Sequence, residues 1–368
     1  MYYRSQSRWQ KNRFQAALLA LALLLAATLL VSCSNSEGNT EGNTAVPPGG
    51  EDEEPGNGEQ ENPEDPGEEI DYQALGVNEA GRIMILMYHE IGEPEDVWCR
   101  TPDNFRKDLE TLYEAGYRLI SMSDLLDGHI DVPAGCSPVV LTFDDGNAGQ
   151  FRYIEKDGRQ VIDPDCAVGI LEEFYAAHPD FGLAATFYIY YDNPFRQQEN
   201  IQHKLEYLVE KGFEIGNHCY THGILSRLSP EEARRELALH VKRTKEYLPG
   251  YTVRSLALPK GEYPKDMSYV IEGSYEGTAY HNEGILLVGA EPAPSPFTVK
   301  YDPAALPRVR ASETGVEGYG LYDWLERLSN NPELRYVSDG DPATVVVPEE
   351  MAEQIDRLRL GNRTLIPY

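Results

Sequence analysis

The sequence predicts an α/β fold arranged as a parallel barrel of about seven strands, and three observations point to it. Short apolar runs alternate with amphipathic stretches from residue 82 onward, which calls for parallel pairing through helical crossovers. Seven or so such units follow one another, enough to close a ring. The polar residues His89, Asp144, Asp145, His218 and Lys260 each stand just past the carboxyl end of an apolar run. In a parallel barrel those ends converge on one face, where active sites lie.

The elements read in order as follows. "RIMILMYH" (82–89) is the first strand, and "PDNFRKDLETLYEAG" is a helix with Phe105, Leu109 and Leu112 on one side, closed by Gly116. "PVVLTF" is a strand, "FRYIEKDGRQVID" a hairpin turning at Asp157-Gly158, and "AVGILEEFYAAH" a helix. "LAATFYIY" (183–190) is a strand, "IQHKLEYLVEKG" a helix and "FEIGNH" a strand. "SPEEARRELALHVKRTKEYLPG" is the clearest helix, with a Ser229 cap, Pro230 at its first position and acids in its first turn. "RSLALP", "GILLVGA" and "LPRVRA" are strands, "GLYDWLERL" a helix and "ATVVVP" the last strand.

The chain ahead of these elements has another character. Residues 1–33 carry a basic start (Arg4, Arg8, Lys11, Arg13) and then an apolar run, the build of an export signal. Its end, Leu30-Val31-Ser32-Cys33, resembles a bacterial lipobox, in which cleavage exposes Cys33 for lipid attachment; an uncleaved signal anchor is the alternative. Residues 34–71 hold no basic residue and almost nothing apolar, so they are expected to form a disordered acidic tether. Residues 72–368 are then the folded domain. Of the net charge of −29, the export segment holds +4 and the tether −13, which leaves −20 on the domain. A domain so acidic repels nucleic acid and anionic membrane surfaces. Cys99, Cys136, Cys166 and Cys219 remain besides Cys33, and their pairing is not readable from spacing.

"PVVLTFDDG" (138–146) ends a buried run in two adjacent carboxylates, Asp144 and Asp145. A solvated Asp-Gly turn is the ordinary reading; a cation between the two acids is the other. "GNHCYTH" sets His218 and His222 four apart, within reach of a single ion. Two histidines with one carboxylate make a facial triad that leaves positions open on a divalent ion. An HxxxH spacing by itself is more often plain surface.

Together "TFDDG", "ATFY", "EIGNHCYTH" and "LALPKG" resemble, in order, the polysaccharide deacetylase family (carbohydrate esterase family 4, the NodB homology domain) over roughly residues 82–350. The resemblance implies a distorted NodB-type (β/α) barrel that hydrolyses acetyl groups on sugars with a bound divalent ion. It assigns Asp145, His218 and His222 to the metal, Asp144 to the general base and the backbone amide of Lys260 to the oxyanion. The late histidine motif of many members is missing, and His89 in "ILMYHEI" takes the acid's place, as in the circularly permuted deacetylases of poly-N-acetylglucosamine. His281 precedes a strand and so lies at the wrong end. His129, His178, His203 and His240 are expected to be solvated.

Three departures stand out. Cys219 occupies the usual Ser or Thr position and offers a thiol near the site. Ala257 stands where the motif's arginine orients the base, and Arg308 in "ALPRVRA" is expected to reach Asp144 in its stead. "YDW" (322–324) resembles the late Asp-Trp motif only loosely and reads equally as a helix stripe.

These readings combine into an expectation of a hydrolase of linear amides at the bacterial cell surface. It would deacetylate N-acetylglucosamine-containing cell-wall or exopolysaccharide glycan with a divalent ion: zinc first, with cobalt, nickel or manganese as alternatives. It would be a monomer that touches the membrane only through its lipid. The alternatives are a degenerate module that binds glycan without turnover and an O-acetyl esterase of the acetylxylan type.

Overall fold

The computed structural model describes residues 70–368. The expected export segment, Cys33 and the expected tether up to residue 69 lie outside the described residues.

Eight strands form the central sheet: β1 (Met84–Tyr88), β2 (Tyr117–Leu119), β3 (Ser137–Asp144), β4 (Thr186–Ile189), β5 (Glu214–Asn217), β6 (Ser255–Ala257), β7 (Gly284–Leu286) and β8 (Val309–Arg310). Their order is β7-β6-β5-β4-β3-β1-β8, with β2 beside the start of β3. Every pairing in this sheet is parallel. The two ends of the row also meet. Leu306, just before β8, forms a parallel bridge with Leu286 of β7, while Val309 and Arg310 pair with β1. The sheet therefore curls into a ring of seven strands, the α/β barrel expected from the alternation of runs.

The strands are buried on both faces, so their sequences read as continuous apolar runs rather than strict alternation. All eight residues of β3 and all five of β1 are buried. Side chains still alternate between two clusters. Leu86, Leu141, Phe143 and Val309 pack outward among Phe105, Leu109 and Leu171 of the helices. Ile85 and Val140 pack into the other cluster with Tyr188, Ala257, Leu286 and Leu306. By the strand period of two, His89, Thr142, Asp144, Arg308 and Arg310 share the inward parity.

Helix α1 (Pro102–Glu114) is capped by Thr101 and buries Phe105, Leu109 and Leu112 as expected. The long helix Pro230–Tyr247 carries a full capping box, in which the Ser229 hydroxyl accepts from the Glu232 amide and Glu232 accepts from the Ser229 amide. The hairpin joins Tyr153–Lys156 to Arg159–Ile162 across Asp157 (φ 53°) and Gly158 (φ 72°), both left-handed as a two-residue turn of this type requires.

Two expectations are corrected, and one strand, β2, escaped the sequence reading. The run "ATVVVP" does not join the barrel: Thr344–Val347 pairs in parallel with Thr364–Pro367 as a separate sheet. An apolar run signals burial, not which sheet it enters. β2 has only three residues, too few to show a period. His240 is not solvated. It is fully buried in the long helix, and its Nε2 bonds the Ile189 carbonyl at 2.9 Å. The four cysteines of the domain are unpaired.

Candidate active site

Strand β3 ends at Asp144, and the chain then turns left-handed at Asp145 (φ 77°) and Gly146 (φ 60°). That turn sends the two neighbouring carboxylates to different partners. Asp144 points inward and is 2% exposed. Both its oxygens accept from Arg308, which is wholly buried, at 2.7 Å each. Arg308 is itself fixed by donating to the Leu287 carbonyl at 2.8 Å and to the Thr142 hydroxyl at 3.1 Å. Thr142 donates in turn to the Leu86 carbonyl at 2.7 Å. Burial pushes the Asp144 carboxyl up, but the Arg308 charge and its hydrogen bonds outweigh that and hold it below the usual range.

Asp145 faces the two histidines. Its Oδ1 lies 3.3 Å from the Nε2 of His218 and 3.3 Å from the Nε2 of His222. One ligand atom from each of the three residues falls within 4.8 Å of the others. His218 is aimed from behind: its Nδ1 bonds the Ala257 carbonyl at 2.8 Å, leaving Nε2 free to face Asp145. Burial opposes charge on both groups. Even so, the contact with Asp145 raises the His218 imidazole, and the two histidines hold Asp145 well below the usual carboxylate range. The donor set, one carboxylate and two imidazoles on a common centre, fits a single divalent ion of the zinc type.

Two expected residues remain, His89 and Lys260. His89 is half-buried with its ring 4.6 Å from that of Trp98. Burial lowers its imidazole, against the pull of Asp144 and Asp145. Lys260 sits in the left-handed region (φ 59°) within the loop Pro259–Gly261, its side chain exposed. Its role as expected involves only the backbone. Asp145, His222 and Lys260 all hold left-handed backbone without being glycine, and such strain gathers at functional sites.

Two of the departures are explained by packing. Cys219 is buried among Leu225, Ala233 and Leu237, and burial pushes its thiol well up, away from the thiolate that a ligand or nucleophile needs. Trp324 donates its indole N–H to the Ala290 carbonyl at 2.9 Å and Asp323 caps its own helix, so "YDW" acts as a helix stripe.

Sequence reasoning missed Gln150. Its Nε2 donates to the carbonyls of both His89 (2.7 Å) and Asp144 (2.5 Å) from full burial in the insert after β3. It also missed Thr142, Trp98 and Arg310. The period of two along β3 and β8 would have placed Thr142 and Arg310 beside Asp144 and Arg308; no such signal exists for Gln150.

Residues 131–273 match the family described as polysaccharide deacetylase. This stretch belongs to that family. The deacetylase stretch contains Asp144, Asp145, His218, His222 and Lys260, whereas His89 and Arg308 come from the chain on either side of it. Among solved structures, the chain resembles the Streptococcus pyogenes deacetylase PplD in complex with acetate (17% identity, TM-score 0.49, 67% of this chain and 97% of that one). It also resembles IcaB from Ammonifex degensii (15%, TM-score 0.46, 68% and 98%). A third is BC0361, a polysaccharide deacetylase from Bacillus cereus (22%, TM-score 0.46, 64% and 67%).

Proposed function

We propose that this protein is a divalent-metal-dependent hydrolase that removes acetyl groups from N-acetylglucosamine-containing glycan, tethered outside a bacterial membrane through lipid on Cys33. The observation that carries the catalytic part is the meeting of Asp145, His218 and His222 beside the buried Asp144–Arg308 pair, inside a stretch of the deacetylase family. The surface location rests on the export segment and tether alone.

Asp145, His218 and His222 would hold the ion, zinc in our reading. When bound, such an ion lowers the pKa of a coordinated water and polarises a carbonyl. Asp144 accepts the proton that water gives up, its carboxylate kept ionised and oriented by Arg308. The Lys260 amide donates to the oxygen on which negative charge develops. His89 delivers a proton to the departing sugar nitrogen, which is a poor leaving group unprotonated. Burial lowers that imidazole while Asp144 and Asp145 favour its protonated form, so those two carboxylates are what keep a proton available there.

Replacing Asp144 with Asn tests the reading, with acetate release from N-acetylglucosamine oligomers measured in excess metal. Loss of the base lowers the rate by roughly 100-fold or more. An undiminished rate sinks the assignment. Tight glycan binding by a metal-loaded wild type that releases no acetate would point to a binding module instead.

A further inference from the structure

Beside the proposed acid lies a cation with no counter-ion among the described residues. Arg310 has the same inward parity as Arg308 and stands two residues further toward the barrel mouth. Its guanidinium lies 4.4 Å over the ring of Trp98, which in turn lies 4.6 Å from the ring of His89. His89, Trp98, Arg310 and Ser312 line one small surface pocket. The Nε of Arg310 is buried with no partner, and the one contact of its NH1 is a long 3.4 Å approach to the Gly315 carbonyl. Nearby acids are already engaged: Arg100 takes Glu313 at 3.1 Å, Glu95 at 2.6 Å and Asp108 at 2.6 Å.

In a chain with 61 acids and 32 basic residues, a half-buried arginine without a carboxylate has cost that burial does not return. A guanidinium held over an indole face keeps N–H donors free for a two-point contact with a carboxylate. Trp98 thus acts as a strut for Arg310.

We propose that Arg310, held by Trp98, is a subsite for a carboxylate carried by the glycan close to the acetylated sugar. The substrate class is therefore an acidic N-acetylated glycan, selected locally by a protein whose net charge would otherwise repel it. The inference rests on the deacetylase reading and deepens it.

The test uses the full protein and three sets of N-acetylglucosamine oligomers: unmodified, bearing one carboxylate, and bearing its methyl ester. The carboxylate is placed either at an oxidised C6 or on a 3-O-lactyl group, which separates the two sources of the charge. Wild type prefers a carboxylated set over its ester in kcat/KM, mainly through KM. Arg310→Gln lowers that preference ratio about tenfold, as expected for one charge-assisted contact. Arg310→Lys retains more of it than Arg310→Gln, and thermal unfolding checks that each variant is folded. No wild-type preference for either carboxylated set over its ester, or a ratio unmoved by Arg310→Gln, overturns the proposal. Calorimetric binding of the same oligomers gives an independent readout. If no oligomer yields acetate, the deacetylase reading fails, and a carboxylate preference in binding, or its absence, still decides the subsite.

Discussion

Arg308 donates one hydrogen bond to each carboxylate oxygen of Asp144, both at 2.7 Å, and neither residue is appreciably exposed. The pair joins β8 to β3 through the inside of the barrel mouth. It keeps an acid ionised where burial alone would neutralise it. Arg308→Met strands that acid, and breaking a buried pair from one side costs about 3–5 kcal/mol. We expect unfolding at correspondingly lower urea and a sharp loss of acetate release. Arg308→Met combined with Asp144→Asn should unfold at higher urea than Arg308→Met alone, because no buried charge is then left unpaired. The sign with pH is fixed by the depressed native pKa. The pair's contribution is complete above the ordinary carboxylate value of about 3.9 and is lost as pH falls through the lower native value.

The metal site carries its own pH signature. Burial disfavours charge on His218 but Asp145 favours it more, so a proton competes with a cation for that imidazole's lone pair. Binding an ion must release that proton. Zinc affinity measured by competition with a chromogenic chelator should rise with pH across the imidazole range, by about tenfold per unit for one proton. His218→Ala and Asp145→Asn should each flatten the slope as well as weaken binding. A wild-type affinity independent of pH would count against this ligand set.

Why some of this was legible in sequence and some was not follows from the ranges of the signals. Asp144, Asp145 and His218 could be read because each ends an apolar run, and the run fixes where its last residue emerges. His222 came with His218 through spacing alone. Arg308 was expected at Asp144 because the usual arginine position holds Ala257, yet its bond to Thr142 needed the registers of β8, β1 and β3 together. Gln150 was invisible because an irregular insert has no period. His240 was misread because one buried polar residue scarcely perturbs an amphipathic stripe, and its partner, the Ile189 carbonyl, lies 51 residues away. "ATVVVP" announced a buried strand, but its neighbour Thr364–Pro367 is a local pairing that no apolar count distinguishes from entry into the barrel.

Glu79 offers a stability switch far from the chemistry. It is 2% exposed and accepts from the Tyr336 hydroxyl at 2.9 Å and the Val346 amide at 2.8 Å. Burial, with Asp339 nearby, pushes its carboxyl from 4.5 up to about 8, more than those bonds pull it down. The native state thus keeps a proton that the unfolded chain gives up above about pH 4.5. Glu79 therefore costs stability progressively from there until pH reaches its native value, and no further beyond. Glu79→Gln removes that penalty. Urea unfolding at pH 5 and pH 8.5 should show the variant gaining on wild type by a few kcal/mol at the higher pH. A gap that does not widen would show the side chain to be ionised in the fold.

Gln150 is the strap between the two groups assigned to move protons. Its Nε2 reaches the carbonyls of His89 and Asp144 together, and since both partners only accept, the amide orientation is fixed as drawn. Its neighbour Gly149 donates its N–H to Glu90 at 2.6 Å, and a Cβ there would fall 1.7 Å from the Ile91 carbonyl, so only glycine allows the insert to lie this close. Gln150→Leu leaves both carbonyls without that donor, at about 1–3 kcal/mol for each that stays buried. Because β1 and β3 are then free to shift relative to one another at their ends, His89 and Asp144 lose their fixed spacing. The expected result is a fall in kcat of about tenfold or more with KM little changed, since a small misplacement of reacting groups acts on the chemical step. Gln150→Glu should be worse, because an ionised carboxylate would face two carbonyl oxygens. A Gln150→Leu protein that is less stable yet turns over at the wild-type rate would reduce the strap to a packing feature.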